Sequence, residues 1–135
     1  VKAITLWQPW ASMVAAGEKT VETRCWQTPY RGRLAIHAAK YVVPDLPQDL
    51  RDRAEFVLRQ RLEMFPRGAI VAIVNVYDIL RTEDYSPSAF HHVWGDFAPG
   101  RWAWKFTHIV AIDPPIPARG YMGIWEWNEE GYDAK

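Results

Sequence analysis

The sequence predicts a small α+β domain rich in strand. Three observations predict it. Several short stretches are apolar, or alternate apolar with polar, at strand length. Two other stretches repeat apolar residues at helical spacing. Ten prolines and eight glycines punctuate the intervals between them. Five or six strands, two helices and frequent turns follow from that pattern. At 135 residues the chain is the size of one domain, here taken as 1–135, with enough residues for a real core.

The elements read in order as follows. Lys2 to Leu6, with Ala3, Ile4 and Leu6, is a first strand. Gln8-Pro9 suits a helix start, because proline is tolerated in the first turn. Trp10, Ala11, Met13, Val14 and Ala15 continue that helix and Gly17 stops it. Thr20 to Arg24 is a second strand, and Gln27-Thr28-Pro29 a loop. Arg33 to Ala39 is a third strand, with Leu34, Ile36 and Ala38 on one face and Arg33, Ala35 and His37 on the other. Pro44 to Pro47 leads to an amphipathic helix over Asp49 to Met64, whose apolar stripe holds Leu50, Ala54, Val57, Leu58 and Leu62. Its charged residues read as a solvated face with internal pairs.

Ala69 to Leu80 is apolar on both alternating faces, which marks a central or barrel-closing strand. Arg81 to Gly100 shows no period and reads as a long loop. Arg101 to Ile112 is another strand. Trp102, Trp104, Phe106, His108 and Val110 are expected on one face, and Arg101, Ala103, Lys105, Thr107 and Ile109 on the other. Pro114 to Pro117 is expected to turn the chain, and Ile124 to Trp127 to form a last strand.

Composition excludes several classes. Sixteen basic and sixteen acidic side chains balance to zero net charge, which argues against a strong, nonspecific polyanion binder. Charge is nevertheless segregated: Lys19, Arg24, Arg31 and Arg33 cluster early, and the tail from Glu126 to Asp133 is acidic. No apolar run approaches the ~20 residues of a membrane span. The start, Val1 to Leu6 passing into Trp7-Gln8-Pro9, does not read as a signal peptide. Cys25 stands alone, so no internal disulfide forms, and a cytoplasmic setting is expected. Cys25, His37, His91, His92 and His108 lack metal-ligand spacing, and phosphate-loop, dinucleotide and nucleophile-elbow motifs are missing. Neither metal nor organic cofactor is expected.

The segment with site chemistry is Gly17-Glu18-Lys19-Thr20-Val21-Glu22-Thr23-Arg24. On a strand, Thr20, Glu22 and Arg24 share one side, with Lys19 just before it. Trp7 and Trp10 lie upstream and Tyr30 downstream. A partly desolvated Lys19 suits a base or nucleophile, and Glu22 a general acid or base. Glu22 equally suits reading an exocyclic amine, and Arg24 or Arg31 holding phosphate. Trp7, Trp10, Tyr30 or Trp102 suits stacking on a base. The plain alternative is an edge strand dotted with charges against aggregation. Trp104, Trp125 and Trp127 read as packing, and Asn75 as a satisfied buried amide.

The order of these segments resembles the ASCH family of the PUA-like group. The resemblance rests on the Gln8-Pro9-Trp10-Ala11 helix start, Gly17-x-Lys19-x-x-Glu22-x-Arg24, Tyr30-Arg31-Gly32 and Ile36-His37-Ala38. Gly68 to Ala72, Arg101 to Trp104, Pro114 to Pro117 and Gly123-Ile124-Trp125 extend it over nearly the whole chain. It implies a closed PUA-like β-barrel of five to six strands with helices at its rim. It also implies a cleft beside the motif that holds RNA or a nucleotide. In that reading Lys19 and Arg24 meet phosphate or ribose, and Glu22 orients the base. Trp7 and Tyr30 stack on the base or wall the pocket, Gln8 offers an amide, and Arg31 and Arg33 extend the positive rim. RNA, single-stranded nucleic acid or a nucleoside is the expected partner.

Some small members of the family are amidohydrolases on acylated cytidine that use the motif lysine, a nearby threonine and a later glutamate. Lys19 matches the first, Glu22 stands in the place of the second, and Asn75 near the third, so two of the three positions depart. Other members have been described as ribonucleases. A metal-independent hydrolase using Lys19 and Glu22, and a protein-interaction module, stand as alternatives to simple binding.

Overall fold

The computed structural model describes residues 1–88 and 92–128. Most of the acidic tail, and His91, lie outside them. The elements run β1 (Lys2–Gln8), α1 (Trp10–Ala15), β2 (Val21–Arg24), β3 (Gly32–Val42), α2 (Gln48–Leu58), β4 (Ala69–Arg81), β5 (Trp102–Pro117) and β6 (Trp125–Glu126). Single 3₁₀ turns occupy Leu62–Met64 and Thr82–Asp84.

The strands form one mixed sheet in the order β2-β5-β4-β3-β1-β6. β1 and β3 run parallel, and the remaining pairs are antiparallel. β4 sits in the middle, as its apolar, β-branched run on both faces requires. The α+β class, the strand number and the helices match expectation. Closure of the barrel does not: among the described residues no ladder joins β2 to β6 or β1. Among the described residues β6 pairs only with Lys2 and Ala3, and the rest of that β1 edge has no strand neighbour there.

The core divides by face. Ile4, Leu6, Leu34, Ile36, Val74 and Trp104 point inward and pack against Ala11 and Val14 of α1. Ala3, Ala35, Ile70, Ile73, Ile112 and Trp127 form a smaller cluster. This assignment follows the period-2 alternation read for β3. A third cluster joins Met13 of α1 and Ala54 of α2 to Leu62, Phe65 and Trp94.

Three further expectations need correction. Pro114 to Pro117 does not turn the chain; it continues β5, with Ile116 opposite Ile70 and Pro117 opposite Ala69. Neighbouring β4 supplies enough pairing there to override the turn preference of the prolines. Alternation along β5 also breaks at His108, which takes φ +50 beside shifts in the β4–β5 register. The bulge puts Ile109 against the core and leaves Val110 55% exposed. Finally, the second helix ends at Leu58, because Arg59 adopts the left-handed conformation. Leu62 still reaches the core from its own 3₁₀ turn, its backbone N–H bonded to Glu55 Oε2 at 2.7 Å.

Candidate functional site

The curled sheet brings β2 back toward β1. Arg24, at the end of β2, donates from Nη2 to the Thr5 carbonyl of β1 at 2.8 Å. One side chain thus bridges strands that no ladder connects. The seam opens into a cleft of about 1140 Å³. Both ends of the sheet line it: Arg24 and Trp26 from one side, Thr5 and Trp7 from the other, with Arg119 and Tyr121 of the β5–β6 loop as a wall.

Lys19, Glu22 and Arg24 come together as a chain of charges. Lys19 is 1% exposed; its ammonium donates to the Val21 carbonyl at 2.8 Å and the Trp94 carbonyl at 2.5 Å. It also lies 3.2 Å from Glu22 Oε1. The other carboxylate oxygen, Oε2, stands 2.9 Å from Arg24 Nε. That second contact is an ion pair without an aligned hydrogen bond. Burial pushes the Lys19 ammonium below the usual lysine range, and the Glu22 carboxylate opposes that. Only Arg24 of the three lines the cleft. Lys19 and Glu22 stand behind it, and Lys19 ties the chain at Trp94 to the start of β2 through the Trp94 carbonyl.

The other expected residues divide in the same way. Trp7 is 47% exposed and lines the cleft, on the same face of β1 as Thr5. Gln8 is fully buried: its amide bridges the Ser12 hydroxyl and the Pro66 carbonyl, and its oxygen accepts from the Ser12 N–H. It fixes the first turn of α1. Tyr30 bonds its hydroxyl to the Arg33 carbonyl. Arg31 donates to the Thr28 and Tyr30 carbonyls at 2.9 Å each. Neither lines the cleft, nor does Asn75. Trp104 and Trp127 are core residues, as expected.

Several lining residues were not singled out as site residues in the sequence. Tyr41, 70% exposed, stands beside Trp7 with ring centroids 6.2 Å apart and planes inclined at 48°. Lys40 precedes it. Arg119 places its guanidinium over the Tyr121 ring at 5.3 Å. The alternation of β3 carries the signal for one of them: Tyr41 follows His37 at even spacing, on the face opposite Leu34 and Ile36. The loop residues carry no such signal.

His37 and Thr5 form the floor. The Ala118 carbonyl, 2.7 Å from His37 Nε2, requires that nitrogen to carry the proton, so Nδ1 accepts from the Thr5 hydroxyl at 3.2 Å. Trp125 Nε1 donates to Thr5 Oγ1 at 3.2 Å, and its ring meets His37 edge-on. Burial pushes the imidazole below its ordinary range, against the pull of the Ala118 bond. Gly120 closes over this pair, so near that a Cβ there would stand 2.6 Å from His37 Cε1 and 2.8 Å from Thr5 Oγ1.

The ASCH-domain profile matches residues 4–115. The chain belongs to the ASCH family. Activating signal cointegrator 1 from Homo sapiens is 34% identical to this ASCH chain over 86 residues, which is 61% of the chain and 15% of that protein. The protein of the same name from Mus musculus is 33% identical over the same shares. The chain therefore spans about 15% of the length of the curated relatives it matches. A point mutant of the ASCH protein from Zymomonas mobilis has a similar fold. Its TM-score is 0.50 at 16% identity, over 86% of this chain and 74% of that one. Among the described residues no group of three or more His, Cys, Asp or Glu is placed to hold a metal ion. Among the described residues no helix is long and apolar enough to cross a membrane.

Proposed function

We propose that this chain works as a single ASCH domain that binds RNA or a nucleotide in the cleft at the seam between β2 and β1. One observation carries the reading. The cleft is lined by Arg24, Lys40 and Arg119 and by exposed aromatic rings, and none of its lining residues is acidic. In a chain with zero net charge, that is a marked local segregation. Cations suit phosphate, and the half-exposed rings of Trp7, Tyr41 and Tyr121 suit unstacked bases. Within this reading Arg24 and Trp7 meet the ligand, while Lys19 and Glu22 position Arg24 and Gln8 braces the α1 turn. Tyr30 and Arg31 hold the loop that leads into β3. A reducing, cytoplasmic setting suits the lone exposed thiol of Cys25.

Binding is favoured over hydrolysis by the state of Lys19. Its ammonium is engaged by two carbonyls and a carboxylate and stands behind Arg24. A base or nucleophile needs reach to the reacting atoms. Fluorescence anisotropy with a labelled single-stranded RNA at low salt tests the proposal. Saturable binding that weakens with salt is expected; no binding at any salt overturns it.

A further inference from the structure

The cleft offers more than one place for a base, and their arrangement sets the smallest ligand it suits. At one end Trp7 and Tyr41 project from the C-terminal ends of the parallel strands β1 and β3. Their rings lean at 48° without stacking on each other, and the two side chains are 47% and 70% exposed. On the β5–β6 loop wall Tyr121 is 53% exposed, with Arg119 over its ring and the 97% exposed Met122 next to it. Arg24 lines the same cleft from the β2 side. The aromatic stations thus come from separate elements, and the cation between chain segments is anchored to both Glu22 and the Thr5 carbonyl.

We propose that the cleft recognises a single-stranded oligonucleotide of at least two residues rather than a free nucleoside or mononucleotide. One base stacks at Trp7 and Tyr41, a second at Tyr121, and a phosphate linking them meets Arg24. Cleft size agrees: small-molecule pockets run to roughly 300–1000 Å³, and this one is about 1140 Å³. Charge agrees as well, because the cleft's lining holds Arg24, Lys40 and Arg119 and no carboxylate, which favours a chain of phosphates over an uncharged nucleoside. Duplex does not suit the site, since stacking on rings requires bases free of partners. This inference rests on the nucleotide-binding reading given above and goes beyond it.

Calorimetric titration separates the two. The ligands are adenosine monophosphate, the dinucleotide ApA and a single-stranded hexa-adenylate, each against the intact chain. Stacking of a second base predicts that ApA binds roughly five- to 150-fold tighter than the monophosphate. Trp7→Ala and Tyr121→Ala are each expected to remove most of that gain, and their near-UV spectra show whether packing is kept. Equal affinity for ApA and the monophosphate overturns this inference and leaves the binding reading standing. No binding by any of the three, hexa-adenylate included, overturns both. A gain for ApA that survives both substitutions also overturns the two-station geometry.

Discussion

Lys19, just before β2, and Glu22, its second residue, form an ion pair at 3.2 Å with side chains only 2% and 10% exposed. Such a pair loses hydration on both sides, and its value lies in not being broken. Lys19→Met leaves Glu22 with Arg24 alone and strips the Val21 and Trp94 carbonyls of their donor. The expected loss is about 3–5 kcal/mol in urea unfolding. Adding Glu22→Leu is expected to cost less than the sum of the single changes. An additive cycle would mean that the two groups are not coupled.

Arg24→Ala should weaken nucleic-acid binding about uniformly across sequences and lower the salt slope by roughly one. The measurement is anisotropy against a single-stranded RNA over a salt series. An unchanged slope would remove Arg24 from the phosphate contact.

Gly120→Ala tests the loop wall. The added methyl meets the His37 ring and Thr5 hydroxyl well inside contact distance. Overpacking of this kind costs about 1–3 kcal/mol. A lower melting temperature together with weaker binding is expected. Full retention of both would show that the loop does not depend on this approach.

His37 gives the stability a pH dependence. Its folded pKa lies below the ordinary 6.5, so the unfolded chain takes up the proton first. Its contribution is complete above pH 6.5 and is lost as pH falls from there through the folded pKa. The melting temperature should drop over that acidic window, less so in His37→Gln. Identical profiles for the two proteins would sink this.

Much of the fold was legible because it is written in local periods. The alternation of Leu34, Ile36 and Ala38 placed one face of β3 in the core, and the long apolar run placed β4 at the centre. What was not legible depends on partners distant in sequence. Pro114 to Pro117 reads as a turn until Ala69 and Ile70 are beside it, and the His108 bulge has no signature in alternation. The site divides the same way. Strand spacing brought Glu22 and Arg24 to one side, but exposure depends on what covers them, and Lys19 is held under Trp94, which is distant in sequence. Tyr121 and Arg119 join the cleft only because a loop between distant strands folds over β1 and β3.

The bond from Arg24 to Thr5 has a mechanical meaning for any guest. A guanidinium carries five N–H donors; one holds the Thr5 carbonyl, and Nε lies against Glu22. Its plane is therefore set before an anion arrives, and little rotational freedom is left to lose on docking. The same group staples two strands that have no shared ladder. A visitor that pulled it away would unfasten the molecule, so the stable complex is one in which the visitor accepts the hydrogens left over.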